Sequence, residues 1–158
     1  MCISTGPGRG KKGPQATGRL RGGVTTKIMV AVTDENTVMA FDVVPGQAHD
    51  APHLEPLLDQ VEKRLPHLDE VVADKAYAGG PQIDAGVDRD LFPQVPKKSN
   101  AIDPRPIEKK AYTERNTVER PIGKAKQYRR IATRYEKLTA TFKGFLSLAF
   151  TMIAMKAP

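Results

Sequence analysis

A chain of 158 residues with 25 Lys and Arg against 18 Asp and Glu, net +7 and a pI near 9.6, has room for one domain with a sizeable core and little else. Its single cysteine excludes an internal disulfide, and its most apolar stretch, Phe145 to Met155, is too short to span a bilayer, so the chain reads as soluble and cytoplasmic, without a membrane partner. The charge is layered: residues 1 to 33 carry six bases and no acid, 34 to 96 four bases against 13 acids, and 97 to 137 13 bases against five acids. Basic flanks around an acidic centre suit a protein that grips a phosphate backbone while gathering cations, with salt-dependent binding to nucleic acid as the consequence.

Residues 1 to 23 hold seven glycines and two prolines with no periodicity, which predicts a flexible basic arm with little order before Arg21. Val24 to Thr33 and Thr37 to Val44 are rich in β-branched residues and flank Asp34-Glu35-Asn36, an antiparallel hairpin whose turn accounts for Asp34 without chemistry. Asp50 stands where an N-cap would, ahead of Leu54, Leu57, Leu58, Val61 and Leu65 at helical spacing. Pro56 inside that helix would cost roughly 3 kcal/mol beyond the first turn, so the helix either starts after Asp50 or kinks. Glu70 to Asp74 is a short inner strand expected to pair with the hairpin, and its carboxyl end places Asp74 where sites in α/β sheets open.

A short helix is expected over 79 to 90, and an edge strand over Leu91 to Val95, where Pro93 is tolerated. Lys97 to Pro106 is a basic loop, and Lys97 and Lys98 are candidate DNA contacts. Tyr112, Arg115, Glu119 and Lys126 would share one face of a continuous helix, beside an apolar flank of Ala111, Val118, Ile122 and Ala125. Pro121 conflicts with that continuity unless Thr117 caps the helix, in which case Tyr112 and Arg115 precede it. Leu138 to Ile153 recurs at helical spacing, apolar nearly all round, and reads as core. His49 and His53 have ligand spacing on a helix but no third Cys or His nearby, a weak zinc signal.

The Asp74-Lys75-Ala76-Tyr77 segment and the Tyr-x2-Arg-x3-Glu-x6-Lys pattern over Tyr112 to Lys126 resemble the second and third catalytic motifs of bacterial insertion-sequence transposases of the DDE kind. Gly18 to Lys27, Pro45 to Asp50 and Arg129 to Lys137 resemble that family's segments in the same order, so the likeness covers nearly the whole chain as a C-terminal part. The resemblance implies an α/β fold over residues 24 to 158, a ribonuclease H-like mixed sheet flanked by helices, here lacking the first strand. It implies metal-dependent cleavage at element ends and strand transfer. Asp74 and Glu119 would be catalytic carboxylates holding Mg2+, with Mn2+ able to substitute. Tyr112, Arg115, Lys126, Arg129 and Arg130 would contact DNA, at the element ends and the target, with the protein a dimer on DNA.

The family's first aspartate has no counterpart, because residues 1 to 33 contain no carboxylate. A truncated remnant or an upstream reading frame would explain this, so the expected partners include an upstream-frame product or a full-length transposase. Without a third carboxylate the chain alone is expected to be inactive. The alternative reading is a non-catalytic DNA-binding remnant or regulator of transposition.

Overall fold

The computed structural model describes residues 2–4, 13–21, 23–96 and 113–157. The chain divides into two compact units, Met1–Ala48 with Val118–Pro158, and His49–Thr117.

In the first unit the long strand β3 (Gly23–Val32) organises a four-stranded sheet with β1 (Cys2–Ser4), β2 (Gly18–Leu20) and β4 (Val38–Pro45), all antiparallel to it. Lys27 pairs with both Cys2 and Val44, and Thr25 with both Ser4 and Gly18, so β1 runs along one edge while β2 and β4 follow each other along the other. The hairpin between β3 and β4 is as expected. The Asp34 carboxylate accepts the Asn36 and Thr37 amides at 2.7 and 2.9 Å, closing the turn, and these bonds hold its pKa below the usual carboxylate range.

Two short helices, α3 (Glu119–Ala125) and α4 (Arg129–Ala132), and one long one, α5 (Thr139–Met155), complete the unit. One side of α5 meets the sheet through Phe142, Leu146, Ala149, Phe150 and Ile153, buried with Ile3, Ile28, Val43, Ala125 and Ile131. Phe41 on β4 meets Phe150 edge-on at 5.4 Å.

The basic arm expected over residues 1 to 23 is corrected here: residues 2–4 and 18–20 are strands, and Ile3 is in the core. Glycine content argued against order, but β3 offers two edges with unpaired backbone groups, and pairing satisfies them. The expectation of a missing opening strand is corrected too: β1 precedes the hairpin and pairs with β3, although it is three residues long and carries no acid. Helix α5 is not core all round either, since Leu148, Met152 and Met155 are exposed.

The second unit contains α1 (Leu54–Glu62), β5 (Glu70–Val72), α2 (Gly80–Val87) and β6 (Phe92–Gln94). A 3₁₀ turn over Ala51–His53 leads into α1, so Pro56 falls in the first α-helical turn, where its missing N–H costs nothing. Asp50 makes no side-chain capping bond at this start, contrary to expectation. Strand β5 pairs in parallel with β6 as a separate two-stranded sheet, not with the hairpin, and α2 is the crossover that parallel pairing requires. Pro93 sits between Phe92, whose amide donates to Asp69, and Gln94, whose carbonyl accepts from Ala73. Its missing donor therefore faces away from β5. Leu54, Leu58 and Leu91 form one buried cluster of this unit, with Leu68, Val71 and Tyr77 against it, and Leu57, Val61 and Ala85 are buried as well.

Candidate active site

Asp74 lies two residues beyond β5 and begins a 3₁₀ turn, Lys75–Tyr77. Its Oδ1 accepts the Lys75 amide at 2.6 Å and its carbonyl accepts the Tyr77 amide at 2.9 Å, while the residue itself is exposed. Tyr77 anchors the turn by laying its ring against the Leu54, Leu58 and Leu91 cluster. Burial, reinforced by Asp50 and then Asp74, pushes the Tyr77 phenol well above its ordinary pKa. The Asp-Lys-x-Tyr spacing thus has a local reason, in which the aspartate caps the turn and the tyrosine fastens it.

Glu119 opens α3, following a 3₁₀ helix over Glu114–Val118. The α-helix cap is Val118, not Thr117, and Pro121 is accommodated as the third residue of α3, where it is buried with Ala125. The two buried residues, four apart, seat one side of the helix. On an adjoining side Arg120 pairs with Glu35, and Lys124 Nζ donates to the Asn36 side chain and to the Glu35 carbonyl at 3.4 Å, fastening α3 to the hairpin turn. Glu119 and Lys126 remain exposed on a shared face, seven residues apart.

The one-face arrangement of four residues therefore narrows to these two. Arg115 precedes α3 in the 3₁₀ segment, whose three-residue turn breaks the phase, and only its backbone is described. Tyr112, Lys97 and Lys98 lie outside the described residues.

Beyond α3, Arg129 is exposed and, like Lys126, has no carboxylate partner among the described residues. Arg130 differs: it pairs with Glu136 at 2.9 Å and its guanidinium stands 4.9 Å over the Phe145 ring. The three basic candidates of this stretch are thus not equivalent.

The centre of the Arg129 to Lys137 segment, which no sequence argument singled out, is Arg134. It is 1 % exposed. Its guanidinium donates to the Glu136 and Lys137 carbonyls at 2.8 and 3.1 Å, to the Gln15 and Ala16 carbonyls at 2.6 and 3.4 Å, and to the Thr26 hydroxyl, above the Phe142 ring. Burial lowers its pKa from the ordinary arginine value, with Glu136 opposing that effect. The same neighbourhood explains two motif glycines. A Cβ at Gly46 would meet Thr25 Oγ1 at 1.9 Å, and one at Gly18 would meet Gln47 Oε1 at 1.2 Å. Lys27 Nζ donates to the Ala48 carbonyl at 2.8 Å, and the Gly46 amide to the Thr25 carbonyl at 3.2 Å. Three segments far apart in sequence, around Gly18, Pro45 and Arg134, therefore meet at Thr25 and Thr26. The signal available in the sequence was an arginine between Thr133 and Tyr135 in a segment that resembles one of the family's.

Asp74 and Glu119 present hard oxygen donors of the kind that hold divalent cations. Among the described residues, however, no group of three His, Cys, Asp or Glu side chains gathers to hold an ion. The donor type fits such a metal and the donor number does not, so no step is derived through one. Among the described residues no helix is long and apolar enough to cross a membrane.

A mixed α/β chain whose Asp-Lys-x-Tyr turn and Glu-bearing helix stand in this order matches the Transposase DDE domain family over residues 3–154, and the protein belongs to that family. It is 32% identical over 140 residues to the "Putative transposase for insertion sequence element IS6501" of Brucella ovis, covering 84% of this chain and 100% of that protein. No solved structure matches. DDE transposase domains as a family use divalent metals.

Proposed function

We propose that this chain carries the DNA-gripping and part of the phosphodiester chemistry of a bacterial insertion-sequence transposase, with a ribonuclease H-like catalytic domain over residues 24 to 158. The observation that carries the reading is that Lys126, on the Glu119 face of α3, and Arg129, at the start of α4, are exposed cations without a carboxylate partner among the described residues. Cations held in ion pairs contribute little to a phosphate contact, because the existing pair must be broken first, whereas free ones exchange only water and counterions. Lys126 and Arg129 are therefore the stronger DNA contacts and Arg130 the weaker. Tyr112 and Arg115 extend the same role by their place in the family pattern, and Lys97 and Lys98 as bases of the loop from Lys97 to Pro106.

Asp74 and Glu119 supply two of the carboxylates for Mg2+, or Mn2+ in its place, by donor chemistry and motif position. The third comes from another polypeptide, either an upstream-frame product or a full-length transposase. Such a protein works on DNA in the bacterial cytoplasm and acts as a dimer on its DNA.

A second reading is a regulator that occupies DNA without cutting it, which the exposed Lys126 and Arg129 would serve equally. Fluorescence anisotropy on duplex DNA across a salt series tests both. Lys126→Ala and Arg129→Ala are each expected to weaken binding and reduce the salt slope by about one, with a smaller effect for Arg130→Ala. Binding that ignores salt sinks both readings. Asp74→Ala and Glu119→Ala should leave affinity nearly unchanged. In a mixture with an upstream-frame product that supplies only the first carboxylate, loss of Mg2+-dependent cleavage in these variants supports the catalytic reading, and no cleavage even with the unaltered chain supports the regulator.

A further inference from the structure

The hairpin that joins β2 to β3 extends past the other strands of its sheet. β4 ends where Pro45 pairs with Thr26, and β1 where Ser4 pairs with Thr25, so from Val24 outward only β2 and β3 are paired among the described residues. Leu20 pairs with Gly23, which leaves two residues between the strands. Gly23 has a φ of +110°, a conformation that glycine adopts without strain, and it closes this tight turn. The base of the ribbon is fixed, since Thr25 and Thr26 are buried and Gly18 lies under the Gln47 side chain. Its tip is basic and apolar. Arg19 and Arg21 are exposed without a carboxylate partner among the described residues, and residues 1 to 33 contain no acid to neutralise them locally. Leu20 and Val24 are 41% and 46% exposed. Directly paired residues share a face, so Val24 stands beside Arg19, while Leu20 is opposite Gly23, where an added Cβ would meet no atom within 4 Å.

We propose that this ribbon tip enters the major groove of DNA, with Arg19 and Arg21 on phosphate or guanine and Leu20 and Val24 on thymine methyl groups. The proposal rests on the DNA-binding reading above and adds a contact on an element that reading does not use. A partner that covers all four side chains has to present anionic and apolar surface within the span of one turn. The major groove does so, because phosphates line its rims and each A·T pair offers a C5-methyl group inside it. Arginine's planar fork matches both phosphate oxygens and the guanine edge. The dimensions agree as well. The groove is about 12 Å wide and 8.5 Å deep and admits a two-stranded ribbon, whereas the minor groove, about 6 Å wide, is too narrow for two strands about 4.8 Å apart with their side chains. Two residue steps beyond Thr25 at about 3.4 Å each, and the turn after them, reach most of the major-groove depth. Pairing with β3 orders the backbone before contact, so little conformational freedom is lost on docking.

Fluorescence anisotropy on the full chain tests this, with a duplex of mixed sequence and the same duplex carrying uracil for every thymine. Arg19→Gln and Arg21→Gln, at exposed positions and checked for unchanged circular dichroism, are each expected to weaken binding and reduce the salt slope by about one. Leu20→Gln combined with Val24→Thr, which keeps a β-branched residue in the strand, is expected to weaken binding at an unchanged slope, because no phosphate contact is lost. The unaltered chain should bind the uracil duplex about fourfold more weakly, the worth of one buried methyl group, and the double variant should bind both duplexes alike. Equal binding of both duplexes by the unaltered chain overturns the groove placement. If Lys126→Ala weakens binding and the hairpin changes do not, the tip is not a DNA contact and the earlier reading stands. If binding ignores salt and every one of these substitutions, both fall.

Discussion

Glu119 and Asp74, the carboxylates of the two family motifs, are held by very different means. Glu119 rides on a helix that buries Pro121 and Ala125 and is tied to the β3–β4 turn by Arg120 and Lys124, in a unit whose main core gathers ten buried residues. Asp74 sits on a single 3₁₀ turn fastened by its own cap and by Tyr77, in a unit whose buried apolar side chains among the described residues are Leu54, Leu57, Leu58, Val61, Ala85 and Leu91. Local stability follows the apolar area that must be exposed on opening, so the Asp74 turn should open more readily than the Glu119 helix. One carboxylate is thus fixed by the fold and the other by a small local cluster.

The largest expected blow to this contrast falls on the better-held unit. Arg134→Ala strands the five oxygens its guanidinium serves and leaves a void over Phe142, for a loss of about 4 kcal/mol or more in a denaturant melt. A loss below about 1 kcal/mol would show that the convergence of the three segments does not depend on it. Leu58→Ala, in the smaller core, should cost about 3 kcal/mol and raise hydrogen exchange at Lys75 to Tyr77 while leaving α3 unchanged. Equal changes in both segments would mean the two units open together.

Tyr77 gives a pH test of the weaker unit. Its folded pKa is raised above the unfolded value of about 10, so the neutral phenol contributes stability that is present below pH 10 and lost as pH rises through the folded pKa. Stability of this unit should fall as pH is raised above about 10, and Tyr77→Phe should flatten that fall. Persistence of the fall in Tyr77→Phe would assign it to another group. The smallest effect is at Glu35→Gln: the Arg120 pair is more than one-third exposed on both sides, so below about 1 kcal/mol is expected by thermal melt.

Much of the local organisation was legible beforehand. The hairpin, the helix after Asp50, the edge placement of Pro93 and the helix break near Thr117 all follow from β-branched runs, helical spacing and proline's missing donor, which act over a few residues. The Asp-Lys-x-Tyr turn was readable as a motif, though its reason, a cap and an anchor, needed the packing of Tyr77. Other features were misread because they depend on partners distant in the chain. Gly18 to Leu20 looked like a mobile arm until it met the edge of β3, and Glu70 to Val72 was assigned to the hairpin although β6 offered the parallel edge.

The sequence by itself determined where the turns and helices begin, which residues carry charge, and the family to which the chain belongs, because propensity, periodicity and motif spacing are properties of neighbouring residues. Only the tertiary structure decided that Arg134 is a buried clasp rather than a surface base, that among the described residues Arg130 has a carboxylate partner while Lys126 and Arg129 have none, and that Leu148, Met152 and Met155 of α5 are exposed. The burial of Arg134 is set by residues more than a hundred positions away, as when it meets Gln15 and Ala16 at separations of 119 and 118. No local pattern encodes such partners, since a buried and an exposed arginine read alike until the chain has closed around one of them.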